Sequence, residues 1–170
     1  AITLANAGNA FTGTVGFSTD SGSAVTVVDT TALDLQALTA ASLSVTAGGD
    51  VTDSGTLAIT GATTIDAGTA DITLTEAAST FGALALTGAN VSVVENAAME
   101  LAASTISGTA SFDSTDNAIT DSGTLAITGA TTIDAGTADI TLTEAASTFG
   151  ALALPGANVS VLEKAAMELP

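Results

Sequence analysis

The stretch DSGTLAITGATTIDAGTADITLTEAASTFGALAL decides the fold: it runs from Asp53 to Leu86 and recurs unchanged from Asp121 to Leu154. The match extends over residues 53–101 and 121–169, and only three of the 49 aligned positions differ. A catalytic site is needed once, whereas a structural unit can be needed many times. The duplication therefore favours a repeat architecture.

Inside the duplicated block, apolar residues alternate with small or polar ones, as in Leu57 and Ile59 or Ile72 and Leu74. This period of two is the period of a β-strand with one buried face. We expect the copies in the second block to occupy matching positions three coils away. The residues predicted to point inward are Leu57, Ile59, Ile65, Ile72, Leu74, Leu84, Leu86, Val91, Val93, Met99 and Leu101.

A shorter repeat lies within the block. LAITGA begins at Leu57, LALTGA begins at Leu84, a looser copy begins at Ile106, and the cycle restarts at Leu125. The steps of 27, 22 and 19 residues average about 23, the size of one coil of a β-solenoid.

The N-terminal third follows the same scheme. ITLANAGNAFTG from Ile2 aligns with ITLTEAASTFGA from Ile72, and AVTVVDTTALDL from Ala24 aligns with NVSVVENAAMEL from Asn90. The sequence therefore predicts an all-β protein: a parallel β-solenoid of about seven coils of about 23 residues, with no helix longer than one turn. Residues 1–170 form a single array without a linker.

Composition excludes several function classes. The chain has 18 acidic residues, a single cation (Lys164) and a net charge of −17, so it repels nucleic acids and anionic membranes. It has no Cys and no His, which excludes disulfides, thiolate metal sites and Ser/His/Asp or Cys/His catalysis. Neither a signal peptide nor an apolar run of about 18 residues is visible.

The runs ITLANAGNAFTGTV, GGDVTDSGTLAITGATTIDAG and ADITLTEAASTFGALALTGANVSV resemble the repeats of filamentous-haemagglutinin-like adhesins and related bacterial exoproteins. This resemblance covers essentially the whole chain. It implies a right-handed parallel β-helix that forms a shaft projecting from the cell surface. The secretion cap of such proteins is not recognisable, which indicates an internal piece of a longer chain. The resemblance carries over no binding residue.

Acidic pairs are the only reactive groups that remain. Asp66 and Asp71, repeated as Asp134 and Asp139, flank a Gly in IDAGTAD. Clustered carboxylates cut polysaccharides in some β-helix enzymes, but aromatic platforms and a cationic partner are missing. These aspartates are predicted to be solvated corner residues, with Ca²⁺ binding as an alternative, although the calcium-binding nonapeptide is absent. We predict no catalytic residue, no metal site and no cofactor.

Hydroxyl side chains raise one further alternative, because threonine ladders on a flat solenoid face can organise water as in ice-binding proteins. The pairs Thr73/Thr75 and Thr141/Thr143 have the required spacing but do not recur once per coil. The glycosylation sequons at Asn90 and Asn158 are interpreted as corner residues.

Two functions remain. The first is a non-catalytic shaft of a bacterial cell-surface or secreted adhesin, with host or cell-surface ligands bound by other parts of the parent protein. The alternative is an extracellular fibre or matrix protein whose copies stack end to end through open strand edges. Both predict an extracellular or cell-surface location, no nucleic-acid partner and no membrane insertion.

Overall fold

The chain folds into a stack of short β-strands. The structure is a computed structural model that describes residues 1–164, and within that range it contains no helix and hence none long and apolar enough to cross a membrane. The predicted inward copies Met167 and Leu169 lie outside the described residues. The strands are β1 (Ile2–Leu4), β2 (Thr14–Val15), β3 (Ala24–Asp29), β4 (Leu33–Leu35), β5 (Leu38–Ala40), β6 (Ser42–Ala47), β7 (Val51–Asp53), β8 (Leu57–Ile59), β9 (Thr63–Asp66), β10 (Ile72–Leu74), β11 (Ala83–Gly88), β12 (Val91–Val94), β13 (Met99–Leu101), β14 (Ser104–Ile106), β15 (Ala110–Asp113), β16 (Ile119–Asp121), β17 (Leu125–Ile127), β18 (Thr131–Asp134), β19 (Ile140–Leu142), β20 (Leu152–Ala153) and β21 (Val159–Val161).

Two parallel sheets form the main walls of the solenoid. Wall A contains, in spatial order, β1, β3, β6, β9, β11, β13, β16, β19 and β21. Wall B contains β2, β4, β7, β10, β12, β15, β18 and β20. Apart from short corner strands, successive strands along the chain alternate between the two walls, so each coil contributes one strand to wall B. The predicted parallel solenoid is confirmed, with about eight coils of about 20 residues rather than seven of 23.

Short corner strands connect the two walls in some coils, and within any one coil they lie on only one side of the solenoid. Corner column 1 consists of β5, β8 and Thr80, and it lies where the chain passes from wall B to wall A. Corner column 2 consists of β14, β17 and Thr148, and it lies where the chain passes from wall A to wall B. The corner strand therefore changes sides once within the described chain.

This change of side places the two copies of the duplicated block on opposite walls. Strand β9 lies in wall A, whereas its copy β18 lies in wall B; β10 and its copy β19 are exchanged in the opposite sense. The interval from Asp53 to its copy Asp121 thus spans about three and a half coils. The expectation of matching positions three coils away is wrong, because the copies are related by a further half turn.

The short repeat inferred from LAITGA and LALTGA is also not the stacking register. Leu84 pairs with Thr63 of the preceding coil, whereas Leu57 pairs with Leu38 in corner column 1. The two hexapeptides are alike because both are short strands followed by a corner. Matching them gave coils that were too long.

The inward assignments are confirmed. Every residue predicted to point inward is at most 3% exposed, and the copies from Leu125 to Leu152 are equally buried. Near the end of the described chain, Val159 is 45% exposed, while Leu154 and Val161 are partly buried. The copies stay buried in the other wall because inward and outward side chains alternate along a strand, and the sequence sets this alternation regardless of the wall.

Candidate functional site

The four aspartates singled out in the sequence bind backbone and amide groups of the solenoid itself. Asp66 and Asp134 each accept the N–H two residues ahead, from Gly68 at 2.9 Å and from Gly136 at 2.8 Å. These are local turns in which the glycines have positive φ, 59° and 55°.

Asp71 and Asp139 make a different contact, to the next coil. Asp71 accepts both the backbone and the side-chain N–H of Asn90 at 2.9 Å, and Asp139 accepts the same two groups of Asn158. The structure thus directs the two members of each acidic pair to different partners, one local and one across coils.

The contacts of Asp71 belong to a corner ladder. Asp50 accepts the N–H of Asp71 at 3.0 Å, and Asn90 in turn accepts the N–H of Thr109 at 3.0 Å. Asp50, Asp71 and Asn90 each immediately precede a strand of wall B, so the side chain of one coil caps the backbone of the next. The Asn90 side chain of the first sequon is occupied in this ladder.

A second set of acids caps loops between coils. Asp53 accepts the N–H of Thr75 at 2.8 Å and of Glu76 at 3.2 Å, and its copy Asp121 binds the equivalent pair. Burial raises the pKa of the Asp53 carboxyl, and the two amide donors oppose that rise.

Another acidic corner lies beside β15 and β18. Asp113 accepts the N–H of Thr115 at 2.8 Å, and Asp116 accepts the N–H of Thr137 at 2.9 Å. Thr115 and Asp116 have φ values of 51° and 63°, a strained conformation for residues other than glycine. Across residues 1–164, no three acidic residues are grouped so that they could hold a metal ion.

Outward hydroxyls form a column on wall B that the sequence did not reveal. Thr52, Thr73, Ser92, Ser111 and Thr132 are direct neighbours in five consecutive coils. Single hydroxyls thus recur once per coil in this column, which the spacing of the T-x-T pairs did not predict. The T-x-T pairing itself does not extend along the wall, so the column is one residue wide.

An open groove of about 580 Å³ lies near the first coil. Its lining includes Phe11, Asp34 and Asp50 together with several threonines. One oxygen of Asp34 is buried and has no hydrogen-bond partner within the described chain. The groove offers acceptors and hydroxyls but no cationic side chain, so it lacks the positive partner that sugar-cleaving sites use.

Three carboxylates form a repeated contact that sequence reasoning missed. Asp29 accepts the N–H of Phe11 at 3.2 Å, Glu95 accepts that of Phe81 at 2.9 Å, and Glu163 accepts that of Phe149 at 3.1 Å. The sequence does contain a pattern that indicates these contacts. In VTVVD and VSVVE the acid follows two inward valines at intervals of two residues, so its side chain also points inward. We call these three contacts acid caps.

Two of the three acid caps, those of Glu95 and Glu163, lie at the ends of corner columns. Phe81 follows Thr80, the last member of corner column 1, and Phe149 follows Thr148, the last member of corner column 2. In the coil above Phe81, residues 95–98 connect β12 to β13 without a corner strand. The carboxylate of Glu95 therefore occupies the place where a strand carbonyl would otherwise accept the Phe81 N–H.

Two consecutive stretches of the chain, residues 22–87 and 88–154, match the model of a family described as repeats of unknown function (DUF5649). Together they cover more than three quarters of the chain. No curated protein and no solved structure matches it. Each family repeat is nearly as long as the interval from Asp53 to Asp121, and each contains one acid of the caps, Asp29 in the first and Glu95 in the second.

Proposed function

The chain belongs to the DUF5649 repeats of unknown function, and we propose that it is a non-catalytic structural shaft of a bacterial cell-surface or secreted adhesin. In this role the solenoid sets the distance between the cell envelope and whatever the parent protein carries. The resemblance of its runs to filamentous-haemagglutinin-like repeats supports the proposal.

One observation carries the proposal: an almost unchanged block occupies two different environments. Ile65 lies in wall A between Val45 and Leu86, whereas its copy Ile133 lies in wall B next to Phe112. A catalytic or specific binding site depends on its surroundings, and those surroundings differ between the copies. What the copies share is the ability to stack, which is the property a shaft needs.

The polar groups support the same role. The acids that accept several hydrogen bonds, such as Asp53 and Asp71, bind backbone N–H groups of neighbouring coils. Hydrogen bonds to a charged acceptor are stronger than neutral ones. Side chains that would serve a reaction in an enzyme here hold one coil to the next.

The alternative proposal is an extracellular fibre in which copies stack end to end. The strands β1 and β21 at the two ends of wall A each pair with one neighbour among the described strands. Open edges of parallel sheets are templates for further strands. The shaft and the fibre differ in whether the rod grows by chain length or by association.

Electron microscopy of the producing cells tests the shaft. Antibodies against this chain should label a layer outside the cell envelope. Inserting ten additional copies of residues 53–120 should move a label at the far end of the parent protein outward by about 170 Å, at about 4.8 Å per coil.

Two results would contradict the shaft. Label confined to the cell interior excludes the proposed location, and an unchanged label distance excludes a spacing role. Growth of fibres from the isolated 170-residue chain, with a length that depends on concentration, would instead favour the fibre.

A further inference from the structure

At the junction between family repeats, two hydrogen bonds join the loop 75–81 to residues 95–96 of the next coil. The loop 75–81 ends corner column 1, and the next coil reaches it through the carboxyl of Glu95, which accepts the Phe81 N–H at 2.9 Å. The adjacent Asn96 donates its N–H to the carbonyl of Ser79 at 2.9 Å. Both bonds depend on the position of residues 95–96.

The same pair of bonds recurs at the other caps. Thr30 follows Asp29 and donates to Asn9 at 2.9 Å, and Lys164 follows Glu163 and donates to Ser147 at 2.9 Å. The arrangement is therefore a regular part of the module. Glu95 is the cap that lies in the middle of the described stack, with coils on both sides.

Glu95 combines complete burial with an incomplete set of partners. Its side chain is 0% exposed, one carboxyl oxygen accepts the Phe81 N–H, and the other has no partner within the described chain. A buried carboxylate needs compensating donors or a cation, and a single amide is a weak compensation. Burial raises the pKa of Glu95 to about 7, against the opposing effect of the Phe81 N–H.

The titratable groups on the elements around Glu95 are all acids. Glu76 lies on the loop 75–81, and Asp53 of the coil below binds the N–H groups at the start of that loop. In the coil above, Asp113 accepts the N–H of Glu95 through its backbone carbonyl, while its carboxylate binds Thr115. Strand β12 itself carries no charged residue. None of these described elements therefore supplies a cation that could compensate a charge on Glu95.

We propose that Glu95 is a proton-operated latch at the module junction. The neutral carboxyl holds the loop 75–81 against the next coil, and ionisation releases the loop because an uncompensated charge cannot stay buried. Mild acid tightens the junction, and a rise in pH loosens it. This property belongs to the stack itself and holds whether the rod is a shaft or a fibre.

Amide hydrogen exchange of the intact chain tests the latch at Phe81, the residue whose N–H the carboxyl accepts. The protection factor, the ratio of intrinsic to observed exchange rate, removes the pH dependence of the exchange chemistry. Between pH 5.0 and 8.5 we expect the Phe81 protection factor to fall by about 70-fold, with the decrease levelling off above pH 7. Glu95→Gln keeps an acceptor for the Phe81 N–H without the charge, and it should abolish the decrease.

Two matched variants serve as controls. Glu163→Gln changes the same cap at the other junction, and Glu76→Gln removes an exposed charge from the same loop; neither should alter the pH dependence at Phe81. A Phe81 protection factor that is independent of pH in the native chain, or an unchanged decrease in Glu95→Gln, would overturn the proposal. If Glu95→Gln does not fold, the ¹³C carboxyl titration of Glu95 in the native chain decides, and an inflection below pH 5 refutes the latch.

Discussion

Ile65 and Ile133 provide a direct test of the half-turn relation between the two copies. Both lie in the sequence TTIDAG, and both are 0% exposed. Their neighbours differ, because Ile65 stacks between Val45 and Leu86 in wall A, whereas Ile133 stacks next to Phe112 in wall B. Local sequence is thus held constant while the environment changes.

Replacing either isoleucine with alanine removes three carbons from a fully buried position. Such substitutions cost about 2–5 kcal/mol through lost transfer free energy and the cavity that remains. Since both sites are fully buried between coils, we expect Ile65→Ala and Ile133→Ala to lower the free energy of unfolding by amounts within about 1 kcal/mol of each other. The two losses of unfolding free energy should be nearly equal because the same isoleucine packs as fully in wall A as in wall B.

The assay combines urea unfolding, followed by circular dichroism, with hydrogen exchange to locate the loss, because repeat stacks can unfold in parts. Double-mutant cycles then identify the neighbours. Ile65→Ala should couple to Leu86→Ala by about 0.5–3 kcal/mol, and Ile133→Ala should couple to Phe112→Leu in the same range.

Ile65→Ala and Ile133→Ala should be additive with each other, because their contacts lie in different walls. Absence of coupling in both neighbour cycles would refute the register of the two walls. A large difference between the two single substitutions would refute the interchangeability of the walls.

Three other predictions concern charge and the interior. Val93→Asp should unfold the local coils, because it buries an unpaired charge at a position 1% exposed, and an unchanged melting curve would contradict its inward position. The raised pKa of Glu95, from 4.5 to about 7, means that its contribution is fully present below pH 4.5 and is lost as the pH rises through 7, about 3 kcal/mol in all. Urea unfolding at pH 5 and 8 should show this loss of unfolding free energy in the native chain and a smaller loss in Glu95→Gln. The difference between the two losses separates the effect of Glu95 from the general effect of the net charge. Light scattering should show lateral association that increases with ionic strength or added Ca²⁺, since screening weakens repulsion between chains of charge −17; scattering independent of salt would argue against that repulsion.

The interior of the solenoid could be predicted from the sequence because its signal is local. In LAITGATTID, every second residue is apolar or small, and this parity is the same in wall A and wall B. Leu57, Ile59 and Ile65 were therefore assigned correctly without knowledge of the coil to which each belongs. The acid caps obey the same parity, so Glu95 could have been recognised as an inward acid.

The stacking register could not be predicted in this way. Parity is unchanged by a half turn, so the sequence of β9 and its copy β18 contains nothing that distinguishes wall A from wall B. The wall depends on how many residues each connection uses, and connections differ by the presence or absence of a corner strand. Pairing LAITGA with LALTGA ignored that difference, which is why Leu84 was matched to Leu57 rather than to Thr63.

The half turn also explains the acid caps formed by Glu95 and Glu163. A corner column cannot continue where the chain moves its corner strand to the other side, and its last N–H then loses the carbonyl above it. A buried amide without an acceptor costs about 1–3 kcal/mol. Phe81 and Phe149 meet this problem at the ends of corner columns 1 and 2, and each is bound by an inward acid from the next coil. The inward acids at these two column ends are therefore a consequence of alternating the corner, and the proton sensitivity proposed for Glu95 follows from the same geometry.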